Sequence, residues 1–527
     1  MQRRTFLAAS AAALALPAVV RAQGKRVLKF IPQSDLAIVD PVWTTAYVTR
    51  NHGYMVFDTL YGQTGQKGGF AATPQMVAGH TVEDDGKTWK LTLRDGLMFH
   101  NGDKVLARDC VASVKRWGAR DAFGQALMQR TDELSAPDDR TILFRLKQPF
   151  ALLPDALCHA ASNMCAIIPQ HIAETDPFKP FTEVIGSGPF RFKPDERVQG
   201  SLFVYERFDG YKPREDGDAS FTSGPKVVHF DRVEWHVQPD PATKAAALQA
   251  GEMDWWENPP ADLLPLLRKN DITTEVTDHT GTPFMLRPNH LYPPFDKPAV
   301  RRALMGAIDQ KEFMIAMMGD DTSLWSVPCG FFPPLSPLAS DAGMSALTSK
   351  RDDPAVKKAL EAAGYQGEKV VFIVGTDQPT LNALSEVAAD MLKRVGVNVD
   401  YQATDWGSVV QRRALTKPPA EGGWNLFCTG FSGLDFFTPA SHLPLRGNGK
   451  GAWFGWPTMP KIEDLRTAWF NAPDFAGQKK IGVEMQLQAF QDVPYYPLGL
   501  AQLPTAFRKD IAGVPEGFPI FWNVHRT

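Results

Sequence analysis

AGHTVEDDGKTWKLTLRDGLMFHNGDKVLARDCVASVKRW, residues 78–117, carries two periodicities in succession. Residues 80–83 lead into the turn sequence Asp84-Asp85-Gly86. Trp89, Leu91 and Leu93 then alternate with Lys90, Thr92 and Arg94, the period of a strand with one buried face. Arg94-Asp95-Gly96 ends that strand and Asn101-Gly102-Asp103 makes a second turn. From Ala107 the spacing lengthens, and Cys110, Val111, Val114 and Trp117 fall on one face of a helix. The stretch predicts a β-hairpin followed by an amphipathic helix.

Outward from it the chain changes character twice. Residues 26–31 read as a strand, 62–73 as a Gly- and Gln-rich linker, and 141–146 as a further strand. Gly186-Ser187-Gly188-Pro189 punctuates the chain, and strands dominate up to about residue 237. Asp240-Pro241 predicts a helix start, with Asp as cap and Pro at the first helical position. In the C-terminal half, residues 370–374 form a continuous β-branched apolar strand, and helices over 380–395 and 406–415 alternate with strands over 397–401 and 424–429. That alternation predicts an α/β architecture with a mostly parallel sheet covered on both faces.

The wording of these segments closely resembles the family 5 extracellular solute-binding proteins, the peptide- and nickel-binding components of ABC importers. Residues 84–102 follow the family run DDG-x-T-[YW]-x-[FL]-x-L-R-x-G-[LV]-x-F-H-[ND]-G. Residues 183–192 resemble its GTGPY-x-F, residues 248–254 its L-x-x-GE-x-D, and residues 294–309 its PFDDxxVRxAL…AID. The matches occur in family order over nearly the whole chain. The resemblance implies a two-lobed periplasmic-binding-protein fold of type II, with an extra subdomain on the first lobe and a hinge between the lobes. Lobe I would comprise residues 23–65, 186–283 and 495–527, the extra subdomain residues 66–185, and lobe II residues 284–494.

The N-terminus points the same way. Arg3 and Arg4 precede an apolar run over 6–20 that is shorter than the ~20 residues of a membrane span, and Ala22 offers a cleavage site before Gln23. Residues 1–22 are therefore expected to be a signal peptide, by the twin-arginine or the general route, leaving a periplasmic protein. A net charge of −3 offers no basic stripe for nucleic acid. No cofactor, metal or catalytic residue is expected: there is no G-x-S-x-G, H-E-x-x-H or C-x-x-C, and Pro189 removes an amide that a phosphate cradle at Gly186 would use. Of the five cysteines, Cys158 with Cys165 and Cys329 with Cys428 are near enough to consider as bridges, with five free thiols the equal alternative.

Cleft residues are sought where chain segments cross between lobes. Trp255 and Trp256 are adjacent on a strand and face opposite sides, so one can be core while the other reaches a cleft, with Trp256 the candidate and both being structural the equal alternative. The loop after residue 429 contains Phe431 and Asp435, at a strand's C-terminal end, where α/β proteins bind ligands. In peptide-binding relatives this loop carries the acidic residue that meets the ligand's α-ammonium, which the resemblance assigns to Asp435. It sits one residue off the family pattern, with Phe436-Phe437-Thr438-Pro439 following, and it reads equally as a loop-capping residue. Trp406 and Trp43 are candidates by position. The expected partners are a peptide or small-molecule ligand and an inner-membrane ABC permease, with the protein itself a monomer. An exported hydrolase, or a sensor or chaperone on the same fold, is the alternative. Intact-mass measurement of the periplasmic protein should give a chain beginning at Gln23; a full-length mass in the membrane fraction would overturn the signal-peptide reading.

Overall fold

The computed structural model describes residues 26–160, 163–269, 271–472 and 474–527; the signal peptide expected over residues 1–22 lies outside them. The hairpin forms as its alternation predicts: Val77–Glu83 pairs antiparallel with Thr88–Leu93. The helix Ala107–Gly118 buries Cys110, Val111, Val114 and Trp117. Thr141–Leu146 and Thr131–Ser135 complete a four-stranded sheet. Trp117 Nε1 donates to the Asn163 carbonyl at 2.9 Å, so the apolar face is packed without stranding the indole N–H. Residues 62–73 are no simple linker, because Tyr61–Gln63 and Ala72–Pro74 pair with each other.

Two larger sheets divide the rest. The first runs, in spatial order, Ile272–Val276, Pro504–Arg508, Trp255–Trp256, Val27–Ile31, Arg232–His236, Leu202–Arg207 and Phe190–Phe192. The second runs Trp325–Ser326, Tyr496–Ala501, Thr282–Pro288, Leu426–Gly430, Lys369–Gly375 and Asn398–Thr404. The strand Lys369–Gly375 is buried beyond Lys369, as its unbroken apolar run requires. The second sheet is not mostly parallel: only Leu426–Gly430, Lys369–Gly375 and Asn398–Thr404 run together. Thr282–Pro288 enters from the first sheet and Tyr496–Ala501 leaves toward it, so these neighbours run antiparallel. Tyr496–Ala501, expected with lobe I, thus pairs in the second sheet, and the return to the first begins at Pro504.

Among the described residues the chain passes between the two large sheets twice, at 277–281 and at 502–503. The Gly186-Ser187-Gly188-Pro189 motif has a steric cause. It lies against the end of the helix Tyr47–Val56, with Gly188 N donating to the Val56 carbonyl at 2.8 Å, and a Cβ on Gly186 would stand 1.8 Å from that oxygen. All five cysteines are free and buried, so neither bridge considered from the sequence forms.

The first sheet is anchored by Trp255. Its indole donates to Thr505 Oγ1 at 2.6 Å and its ring lies 5.3 Å from both Phe30 and Phe521. Trp255→Ala is expected to cost about 3–5 kcal/mol through the cavity left behind, read as a lower urea midpoint with unchanged slope; a loss under about 1 kcal/mol would mean the site collapses freely.

Candidate functional site

Beside the two crossings, between the large sheets, lies a cavity of about 120 Å³. The first sheet's side contributes Thr45, Tyr47 and Arg50 from the start of the helix Tyr47–Val56, Lys244, and Trp256 and Glu257. The second contributes Gln378–Leu381, Trp406, Thr429 and Ser432, and Asp278 stands on the first crossing. Asp240 caps the helix Pro241–Gln249 by accepting from Thr243 N at 2.7 Å, as the Asp-Pro pair predicts, and this fixes Lys244 on the cavity wall. Asp405 caps the helix Trp406–Arg412, and Asp377 Oδ1 accepts the Trp406 amide at 2.7 Å, which places the indole at the opposite wall.

The candidates read from sequence divide. Trp256 and Trp406 line the cavity. Trp255 lies in the sheet's aromatic core, and Trp256 lines the cavity beneath Lys244, whose Nζ is 5.8 Å from the ring centroid. Phe431 is buried against Phe436 and Trp453, with ring centroids at 5.5 and 5.2 Å. Trp43 lines a different cavity and donates from Nε1 to the Phe178 carbonyl at 2.9 Å. Asp435 is buried behind Tyr47: its Oδ2 accepts the Tyr47 hydroxyl at 2.7 Å, and its Oδ1 is 3.4 Å from His159 Nε2. The same Tyr47 oxygen accepts the Ser432 amide. Tyr47, not Asp435, faces the cavity.

Four charged residues that the sequence did not single out stand in the wall. Glu257 accepts from Gln33 N at 2.7 Å, Gln33 Nε2 at 3.0 Å and Asn51 Nδ2 at 2.8 Å. Asp278 accepts from Thr280 N at 3.0 Å, Thr280 Oγ1 at 2.5 Å and Ser432 Oγ at 2.8 Å. Burial raises both carboxyls above their usual range, and these hydrogen bonds together with the Arg50 charge pull them part of the way back. The Arg50 guanidinium is sandwiched between the Tyr47 and Phe518 rings, 3.8 and 3.9 Å from their centroids. It hydrogen-bonds to Asn51 Oδ1, and among the described residues no carboxylate pairs with it. Burial likewise pushes the Lys244 ammonium down. The available sequence signal was modest: Lys244 is the one charged residue of PATKAAALQ.

Comparison with known proteins follows the same line. The model of the bacterial extracellular solute-binding proteins, family 5 (middle part), matches residues 71–452. The chain is 35% identical over 527 residues, 98% of each chain, to a probable peptide ABC transporter periplasmic-binding protein of Sinorhizobium fredii. It is 27% identical over 457 residues, 83% of this chain and 82% of the relative, to the glutathione-binding protein of Pectobacterium atrosepticum. The solved structure of the binding protein AgaA of A. tumefaciens R10, in complex with agropinic acid, superposes with a TM-score of 0.76 at 20% identity, over 95% of this chain and 99% of that one. The fold shared with such proteins is the two-lobed type II periplasmic-binding-protein fold, and the two large sheets are the cores of its lobes.

The raised carboxyls set a pH dependence for the ligand-free protein. A carboxyl whose folded pKa lies above its unfolded value of about 4 adds stability below that value, and the contribution is lost as pH rises through the folded pKa. Asp278→Asn should therefore gain melting temperature relative to wild type as pH goes from about 4 to 7. A difference that stays flat, or shrinks, over this range would contradict the raised Asp278 carboxyl.

Proposed function

The chain belongs to the bacterial extracellular solute-binding proteins of family 5, and on that premise we propose that it captures a short peptide, or a zwitterion of peptide size, between its lobes and hands it to an ABC permease of the inner membrane. The family is one of binding proteins rather than enzymes. The observation that carries the reading is the cavity itself, whose wall holds both signs of charge: Glu257 and Asp278 against Arg50 and Lys244. A ligand with an ammonium and a carboxylate meets a partner at each end. Trp256 and Trp406 supply apolar walls for what lies between. Two relatives point the same way, since one is a probable peptide transporter component and the other binds glutathione.

In this reading Asp278 meets the cationic group directly, and Asp435 acts through Tyr47 by holding its hydroxyl. Phe431 packs behind the wall rather than touching the cargo, and Trp43 lies at the other cavity. The protein works in the periplasm as a monomer and has no use for nucleic acid. Closure follows from differential affinity: a micromolar ligand brings about −8 kcal/mol, enough to shift a hinge equilibrium costing a few.

Native mass spectrometry of protein purified without denaturation should show retained cargo of peptide mass. Calorimetric titration with that cargo and its N-acetylated form separates the roles. Asp278→Asn should weaken binding of the free-ammonium form by about ten- to a hundredfold and leave the acetylated form little changed. Asp435→Asn should lose less. Equal loss of both forms in Asp278→Asn would remove the ammonium contact from the reading.

A further inference from the structure

The cavity that Trp43 lines is separate from the cargo cavity and measures about 680 Å³, inside the range of about 300–1,000 Å³ typical of small-molecule sites. Ala119 and Arg120, just past the helix Ala107–Gly118, form one side of it, and the stretch 450–456 of the second lobe forms another. Thr45 stands in the walls of both cavities. Its Oγ1 accepts from Arg413 Nη2 at 3.1 Å and from Trp453 Nε1 at 3.2 Å, which builds a partition between the two spaces.

The charge of this second cavity is one-sided. Arg120 and Lys450 line it, and among its described lining residues there is no carboxylate. Arg120 Nη2 donates to the Trp43 carbonyl at 2.9 Å and the Phe178 ring centroid lies 5.1 Å from the guanidinium, but Arg120 Nε is buried without a hydrogen-bond partner. Asp40, the carboxylate that acts most on the Arg120 charge, is already paired with Arg116 at 2.8 Å. Arg413, fully buried in the partition, repeats the pattern. Its guanidinium lies 5.6 and 5.1 Å from the Trp453 and Phe454 ring centroids, its Nε has no partner, and among the described residues no carboxylate pairs with it. Burial lowers both guanidinium groups from their usual range, the mark of cations held without a counter-charge.

The remaining walls are flat and apolar. The indole N–H groups of Trp43 and Trp453 are already spent, on the Phe178 carbonyl and on Thr45. Phe178, Leu291 and Leu415, three exposed large apolar side chains from distant segments, line the same space. Unpartnered cationic donors against aromatic walls fit a planar apolar body that carries one negative charge. We propose that the second cavity is a binding site for an aromatic carboxylate, its acid group facing Arg120 and Lys450 and its ring lying against Trp43 and Trp453. The inference does not rest on the cargo reading, because the space is a different one and its occupant is an additional ligand.

The test uses the mature chain and defined probes: benzoate, cinnamate, 2-naphthoate and hexanoate, each beside its primary amide, with dissociation constants from calorimetric titration. The aromatic acids are expected to bind, and their amides to bind about ten- to a hundredfold more weakly. Arg120→Gln should weaken the acids by a similar factor and leave the amides unchanged, while Lys244→Gln, in the cargo cavity, should alter neither. If Arg120→Gln does not fold, Lys450→Gln, at an exposed position, takes its place and should weaken the acids several-fold. Acids and amides binding alike, or no acid binding, would overturn the site. Acid binding that falls in Lys244→Gln but not in the Arg120 or Lys450 variant would place the anion in the cargo cavity and overturn it as well. Hexanoate binding as tightly as cinnamate would overturn the planar occupant.

Discussion

The structure depends on one constraint: its two large sheets are joined by two short crossings that lie side by side. Thr282–Pro288 pairs with Tyr496–Ala501 on one side of the junction, and Ile272–Val276 pairs with Pro504–Arg508 on the other. The first crossing turns at Gly281, which has a φ of 72°. It is held from the second lobe by the loop after Leu426–Gly430. Gly433 N donates to the Gly281 carbonyl at 2.6 Å, and a Cβ on Gly433 would stand 2.2 Å from the Thr280 oxygen. Ser432 Oγ bonds to Asp278 on the same crossing. The junction and the cavity therefore share Asp278 and Ser432.

Several contacts cross the cleft. Tyr47 of the first lobe links Asp435 and the Ser432 amide of the second. Thr45 Oγ1 accepts from Arg413 Nη2 at 3.1 Å and from Trp453 Nε1 at 3.2 Å. The lobes also meet through Arg446 and Arg466, which donate to Gln125 Oε1 and the Ala122 carbonyl, and through ring contacts such as Phe123–Phe470. The lobe interiors are held differently. Arg287, fully buried in the second, donates to the carbonyls of Pro444, Trp453, Phe454 and Pro494. Its guanidinium thereby satisfies an irregular stretch of backbone that no strand partner reaches.

Charge is distributed unevenly around the cavity. Arg50, Lys244 and Glu257 come from the first lobe and Asp278 from the crossing, while the second lobe lines it with Gln378, Thr380, Trp406, Thr429 and Ser432. The first lobe is thus the charged platform, and the second adds neutral donors and aromatic surface when the lobes meet.

The hairpin at 78–117, the buried strand near 370 and the Asp-Pro helix start at 240 were legible in the sequence because each rests on neighbours within a few residues: a period of two, an unbroken apolar run, a cap. The family wording carried the lobed architecture further than those local signals reach. The alternation at Trp255-Trp256 told that the two indoles part, but not which would line the cavity. The wall's charges were not legible. Tyr47, Lys244, Asp278 and Gln378 come from four separate segments of the chain, and none belongs to a motif. Asp435 lies in the loop where an anchor was sought, yet Tyr47 stands between it and the cavity. Periodicity fixes which face of an element is buried, since burial follows spacing along the chain. Only the packing of one lobe against the other decides which buried faces enclose a shared space, and which polar groups are left there without a partner.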